Sequence, residues 1–457
     1  MQETSKVTAT ITAGRARWQQ WSQWLDTHTL TRGQLLGCLL LAAALLILRR
    51  PGAFFHAQFY AEDGHDWYAQ AYNLGWLRSL TLPDAGYLNT LPRLGAGAAL
   101  LAPFRWAPLV TVLFGLFVQC LPVAVLLSAR ARPWGTLSTR AIFAAVYVLS
   151  PNAGEIHVVL TNTQWHLSLV ALLLALCEPP RGIPGALGDV ACLAIAGLSG
   201  PFSLLLTPVI VLCWWLRRHP WTAVLSLVMG ACALVEVHAI LATQSVRYQG
   251  LLGPSVGRLL RMVGADVVSA SLLGANVTHA FHLAWGHFVP ATSTLAMVSL
   301  LWLAPLALLG LSVLGYVSWQ GSLALRMFIL YAGLLLAASL RSPLIAGRGA
   351  LWELMITTTH GRYWFTPMIA LLWSTVWCAR FAKSSGMQRT AAAMLCCLPI
   401  GMLLDYHYRA QPNYHLQAEV ETVRQAAPGT RVTFLIPPGH GWDVTLIKRG
   451  AVGTIDH

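Results

Sequence analysis

The stretch "STLAMVSLLWLAPLALLGLSVLGYVSW" (293–319) carries no charge over its whole length. A helix needs about 20 consecutive apolar residues to cross the hydrocarbon core of a bilayer. This segment meets that length, and "TVLFGLFVQCLPVAVLL" (111–127) approaches it. Similar runs recur along the 457 residues, which are 56% hydrophobic and only 10% charged. Soluble domains are typically about 25% charged. The composition therefore predicts an all-α polytopic membrane protein.

About eleven spans are expected, near 34–49, 106–128, 141–156, 164–177, 189–199, 202–216, 221–241, 291–317, 323–341, 363–380 and 390–404. Several are short and must lie inside the bundle or in thinned bilayer. The segment 1–33 is then a cytoplasmic N-terminal piece, 34–404 the membrane domain, and 405–457 an outer tail. A long first outer loop covers 50–104, with its last part, 88–104, lying as a helix in the interface. The inner side carries 14 Lys and Arg against 4 acids, the outer side 16 against 13. Basic short loops at 129–140, 217–220 and 380–389 fix the orientation by the positive-inside rule. Arg49 and Arg50, at the outer end of the first span, run against that rule.

The net charge of +13 is spread over many short loops without a basic stripe interleaved with aromatics, so it reads as topology and not as nucleic-acid binding. The nine cysteines lie in or beside apolar runs with no zinc spacing, as small buried hydrophobes. Polar residues precede the first apolar run, unlike the short basic start of a cleavable signal. Among them, Trp18, Trp21 and Leu25 have helical spacing that suits an interfacial helix. The tail reads as a helix over 416–430 ended by Pro-Gly. Two short strands follow, "RVTFLIPP" and "WDVTLIKR", around a turn at 439–441. This is a small α/β appendage.

Chemistry concentrates in "FYAEDGHDWYAQA" (59–71). Asp63 at the N-cap and Asp66 three residues on would form a capping box. Capping does not require Glu62 and Asp63 side by side, because adjacent carboxylates repel and raise each other's pKa. The pair is a candidate for general-base work. "GRYWFTP" (361–367) places Arg362 and Tyr363 at the outer start of a span, where Arg can hold a phosphate in a two-pronged grip and Tyr can add a hydrogen bond. An interfacial anchor is the plainer role for the same pair. Further outer residues suited to sugar hydroxyls and ring faces are Tyr87, Asn89, Arg93, Glu155, Asn162, Gln164 and Trp165, with Asp66 beside the pair. Each of these also suits a helix end. Glu236 and His238 lie within a span, where ionisable residues are unexpected. His279, His282 and His287 have helix-compatible spacing, but no carboxylate or Cys completes a metal site.

An acidic pair opening the first outer loop, interface helices behind it, a late outer Arg-Tyr and about eleven spans resemble the GT-C superfamily of integral-membrane glycosyltransferases. "FYAEDG…AQAYNLG…GYLNTLPRLGA", "TNTQWHL", "GRYWFTP" and "VTFLIPPGHGWDVTL" are similar to a bacterial subgroup of that kind. The resemblance implies a polyprenyl-phosphate-linked sugar as donor and a glycan, lipid or protein as acceptor. It implies transfer with inversion on the outer face of the inner membrane. The family's acid maps onto Asp63, or else Glu62, and its phosphate ligands onto Arg362 and Tyr363, with Arg93, Arg247 and Arg348 as alternatives. Some relatives use a divalent cation, Mg or Mn, and others none. The loop lacks a clean Asp-x-Asp, so base and metal both stay open. Two other classes fit a multi-span chain: a transporter or flippase for lipid-linked glycans, and a non-catalytic envelope assembly protein. A transporter predicts internal repeats and mid-membrane charges; no repeat is visible.

Overall fold

Thr31 opens the first long helix, α1 (Arg32–Arg49), with a capping box: its hydroxyl accepts from Gln34 N, and the Gln34 side chain accepts from Thr31 N. In the computed structural model, residues 29–243, 251–280, 294–345, 349–356, 361–439 and 441–450 are described. Trp18, Trp21, Leu25, Arg247, His282, His287 and Arg348 lie outside them.

The chain is mostly helical. After α1 come α2 (Thr90–Ala99), α3 (Ala107–Leu127), α4 (Leu137–Leu149), α5 (Thr163–Leu176), α6 (Ile183–Gly197), α7 (Phe202–Arg217) and α8 (Pro220–Ala242). They are followed by α9 (Val256–Met262), α10 (Thr294–Gln320), α11 (Leu323–Arg341), α12 (Gly361–Phe381), α13 (Ser385–Leu404) and α14 (Leu416–Gln425). Among the described residues, six stretches are helical, long and apolar enough to cross a membrane: Arg32–Arg49, Phe104–Leu127, Pro220–Ala242, Ser299–Gln320, Leu323–Arg341 and Ser385–Leu404. Their outward faces are leucine-rich. Leu227 is 75% exposed and Leu403 79%, an outer surface that suits hydrocarbon better than water. α4 stops at Leu149, short of the expected 156, because Pro151 forces the preceding residue out of helical geometry. The interface segment expected over 88–104 is a ten-residue helix, α2, followed by a short turn.

α12 is the centre of the core. Nearly all of its residues are buried, and Trp373 stacks on Phe143 at 4.9 Å while meeting Phe328 at 5.0 Å. The indole N–H donates to the Phe143 carbonyl at 3.0 Å, so the polar end of the ring is satisfied. Close helix contact needs Gly264, where a Cβ would meet the Leu303 carbonyl oxygen at 2.2 Å.

The two arginines that broke the charge rule both hold backbone carbonyls. Arg49 is 1% exposed and donates to the carbonyls of Val148, Ser150, Asp405 and Tyr406, with Tyr408 beneath its guanidinium at 4.5 Å. Arg50 donates to Gly154 O at 3.0 Å. Both cations thus tie the end of α1 to the irregular segment after α4. Asp405 completes the clamp from the other side. Its carboxylate accepts from Asn152 N, Ala275 N and the Asn276 side chain at 3.1, 2.6 and 2.9 Å.

The tail forms a two-stranded antiparallel sheet, β1 (Arg431–Leu435) and β2 (Asp443–Ile447), paired Arg431↔Ile447 through Leu435↔Asp443. Val432, Phe434, Val444 and Leu446 face inward and share one small core with Phe59, Tyr68, Ala99 and Ala107 of the first loop and α3. The hairpin therefore packs on the segment that carries the acidic pair.

Asp405→Ala strands the buried Asn152 N–H and frees the part-buried Ala275 N–H and the Asn276 side-chain N–H. It is expected to cost about 1–2 kcal/mol of stability, chiefly from the buried donor. Thermal melting in detergent should show this, with Asp405→Asn milder. Equal melting of Asp405→Ala and wild type would remove the clamp from the account.

Candidate active site

The chain enters the acidic segment under strain. Ala61 has φ 45°, a left-handed conformation uncommon for a residue with a Cβ, and its N–H donates to Pro437 O at 2.7 Å. Phe59, fully buried, anchors the turn against Tyr68 at 4.6 Å. From Asp63 the chain winds as a π-helix to Tyr68, then continues as an α-helix over Ala69–Leu74. π-turns of this kind favour functional sites. The capping box expected here does not form: neither Glu62, at the N-cap, nor Asp63 caps this helix. Asp63 instead caps another segment. Its Oδ2 accepts from Leu160 N at 3.1 Å and its Oδ1 from Thr161 N at 2.6 Å, at the start of the short 3-10 turn leading into α5. Those are orphan donors of a helix start, which a carboxylate satisfies well.

Asp63 is 2% exposed. Burial pushes its pKa up to about 8; the two N–H donors oppose this, and the charge of Glu62 adds to it. Glu62 is half-buried and is the electrostatic centre of the site, within reach of Tyr60, Asp63, Asp66 and Arg362. Burial raises the Tyr60 hydroxyl, with the fields of Glu155, Glu62 and Asp63 adding to the rise and Arg50 opposing it.

Arg362, on the first turn of α12, is held by Glu155. Its Nη1 meets Glu155 Oε1 at 3.0 Å, and its backbone N donates to Oε2 at 3.1 Å. The guanidinium lies over the Tyr363 ring at 5.1 Å. The Tyr363 hydroxyl accepts from Leu344 N at 2.9 Å, and Trp165 packs edge-on to its ring at 6.0 Å. Asn162 donates to the Glu155 carbonyl at 2.9 Å, fixing the loop that carries this partner. Gln164 is buried at the start of α5. Six expected residues, Glu62, Asp63, Glu155, Asn162, Arg362 and Tyr363, thus join one neighbourhood.

Asp66 and Arg93 form an adjoining group. Asp66 rises to about 6 through burial and then through Asp84, with His65 and Arg93 opposing. Arg93 is fully buried, donates to Gln70 Oε1 at 2.8 Å and lies over Trp67 at 4.8 Å. Burial lowers it to about 10. Tyr87 and Asn89 belong to the docking of this loop on the α6–α7 turn. Asn89 bridges Ser199, and the intervening Leu88 N donates to Glu236 Oε2 at 3.1 Å. Glu236, unexpected within α8, is therefore a loop anchor.

Sequence reasoning passed over Tyr60, Asp84 and Arg50. For Arg50 the signal was present, as a cation on the wrong side of the charge rule. It lines a cavity of about 170 Å³ together with Asp63, Tyr60 and His157.

The residues do not fit a resident divalent cation. Both Asp63 oxygens take backbone N–H groups, Asp66 shares its surroundings with the cation Arg93, and among the described residues no group of three His, Cys, Asp or Glu is placed to hold a metal.

Between its unfolded value of 3.8 and about 8, Asp63 holds a proton in the folded chain that the unfolded chain has lost. Stability should therefore fall as pH rises from about 4 to about 8 and level off above. Asp63→Asn should remove Asp63's own part of that slope, leaving the parts of Asp66, which ends near pH 6, and of Asp84, which burial also raises. Melting curves across this range check it; an unchanged slope in Asp63→Asn would contradict the assignment.

No protein-family model matches the chain, and no curated protein is significantly similar to it. Function must accordingly be inferred from the chemistry of the site.

Proposed function

We propose that the protein is a membrane glycosyltransferase that moves a sugar from a polyprenyl-phosphate donor to an acceptor hydroxyl on the outer face of a bacterial inner membrane. Eleven of the helices, α1, α3 to α8 and α10 to α13, would cross the bilayer, with the N-terminus inside and the tail outside. α2 and the turns around Asp63 would lie at the outer interface. The observation that carries this reading is that one short segment joins the two charged groups: Leu160 and Thr161 N–H hold the buried acid Asp63, and the next residue, Asn162, donates to the carbonyl of Glu155, the ion-pair partner of Arg362.

Asp63 takes the proton. A sugar hydroxyl is a poor nucleophile, and a base works best with a pKa near the operating pH. Burial supplies that pKa, and the Leu160 and Thr161 N–H groups fix the carboxylate's direction. The acceptor oxygen bonds to the anomeric carbon as the bond from that carbon to the phosphate oxygen breaks. The phosphate leaves with the electron pair, and the centre inverts. Arg362 stabilises the charge growing on the leaving phosphate; its Glu155 partner holds the guanidinium in place beforehand. Glu62, the neighbour of Asp63, orients the donor sugar through its hydroxyls and adds to the rise of the Asp63 pKa.

A transporter is the second reading. One observation favours it: Asp266 is fully buried in the π-helix Val263–Ser269, and neither of its oxygens has a hydrogen-bond partner among the described residues. The transporter reading predicts that Asp266→Asn abolishes function while Asp63→Asn spares it.

Envelope glycans from cells lacking the protein, complemented with variants at equal protein level, distinguish these readings by mass spectrometry. Asp63→Asn and Arg362→Gln should each lower transfer by about 10²-fold or more. The rate should rise with pH around an apparent pKa near 8. Glu62→Gln, which removes the charge that lifts Asp63, should move that rise to lower pH. Full activity in Asp63→Asn would refute the base assignment.

A further inference from the structure

The cavity beside Asp63 has a chemistry that the transfer step leaves unused. Tyr60, Asp63 and His157 line it from the bundle side, and Gln58, Gln411 and Asn413 from the loop and tail. Gln58 ties those two together: its Nε2 donates to Pro412 O at 3.0 Å, and its Oε1 accepts from Tyr414 N at 2.7 Å. Arg50 lines the same cavity and is 8% exposed. Its Nη2 reaches Gly154 O and its guanidinium lies over Tyr408 at 5.3 Å, but its Nε has no hydrogen-bond partner among the described residues. It makes no ion pair there either. A buried cation without a counter-charge is costly, and a guanidinium with an unpartnered N–H suits an oxyanion. Around it are amides and a phenol, which suit hydroxyl groups.

We infer that this cavity is the acceptor site and that the acceptor is a phosphorylated polyol, its phosphate on Arg50 and a hydroxyl within reach of Asp63. The assignment as acceptor rests on the transfer reading above; the binding of an anion does not. Such a phosphate ester has two sources, a water-soluble sugar or glycerol phosphate and a phospholipid headgroup. Arg362 keeps the donor phosphate, so two anionic sites flank the acid pair. The tail then has a direct part in substrate recognition, since its segment 410–413 closes the cavity.

The test uses the full-length protein in phosphatidylcholine nanodiscs, with sn-glycerol 3-phosphate as probe and glycerol as neutral control, read by calorimetry. The wild type should bind glycerol 3-phosphate and not glycerol. Arg50→Gln should weaken binding at least about tenfold, the scale of a lost charge-assisted contact. Gln411 is only partly buried, so its variants test the charge without straining the fold. Gln411→Glu should weaken binding and Gln411→Lys should tighten it. Exposed Arg78→Gln should change nothing. Competition by phosphatidylglycerol doped into the nanodisc assigns the anion to a headgroup, and its absence to a soluble ester; both support the site. No binding of either, or binding indifferent to Arg50→Gln and to both Gln411 variants, overturns it. Should binding be absent while transfer still depends on Asp63, only the anionic acceptor is lost. Should binding be present in a protein without transfer activity, the anion site stands and the enzyme reading falls.

Discussion

Everything at the candidate site depends on one buried carboxylate that accepts two backbone N–H groups from a distant part of the chain. Asp63 and Leu160 are far apart in sequence, yet the contacts at 3.1 and 2.6 Å fix the segment after α1 on the turn that leads into α5. They place Glu62 in electrostatic reach of both Asp63 and Arg362, and they leave Asp63 on the wall of a cavity. The same bonds explain how a carboxyl group tolerates such burial. Two N–H donors offset part of the desolvation that raises its pKa. A carboxyl group so held is directed, and with a pKa of about 8 it has an ionised fraction near neutral pH that can take a proton.

The supporting structure repeats the same device at larger scale. Irregular segments beside apolar helices leave carbonyls and N–H groups that have no water to satisfy them. Arg49 collects four carbonyls, and Asp405 collects donors from two separate segments. Glu236 receives Leu88 N, and the tail closes over the loop through Gln58 and Ala61. Few charges are present in this chain, and Arg49, Asp63, Asp405 and Glu236 each have a backbone partner. Arg50 and Arg93 each retain an N–H without a partner among the described residues, and of the two only Arg50 lines the cavity beside Asp63.

Much of the fold could be read from the sequence because apolar run length is a direct consequence of the solvent. The helices over Pro220–Ala242, Leu323–Arg341 and Ser385–Leu404 follow from composition alone. α12 is different. It is the most enclosed part of the core, yet its Arg, Thr and Ser residues keep it off the set of strongly apolar spans, since a helix ringed by other helices need not present a hydrocarbon face. The residues of the candidate site were legible as types: Glu62, Asp63, Glu155 and Arg362 stood out as charges in a sparsely charged chain. Their pairing was not. The Glu155–Arg362 ion pair and the Asp63 clamp join residues remote in sequence, and local pattern carries no information about such contacts. Local pattern also misled at Asp63 itself. The capping-box spacing was present, but the donors at Leu160 and Thr161 claimed the carboxylate first.

The central claim is that Asp63 and Arg362 act on one bound donor from two sides. An experimental structure of the full chain with a polyprenyl-phosphate sugar bound tests it most directly. The account predicts the phosphate on the Arg362 guanidinium, beside the Tyr363 ring, with the anomeric carbon facing Asp63 across Glu62. A donor whose phosphate lies away from Arg362, or whose sugar points away from Asp63, would contradict it.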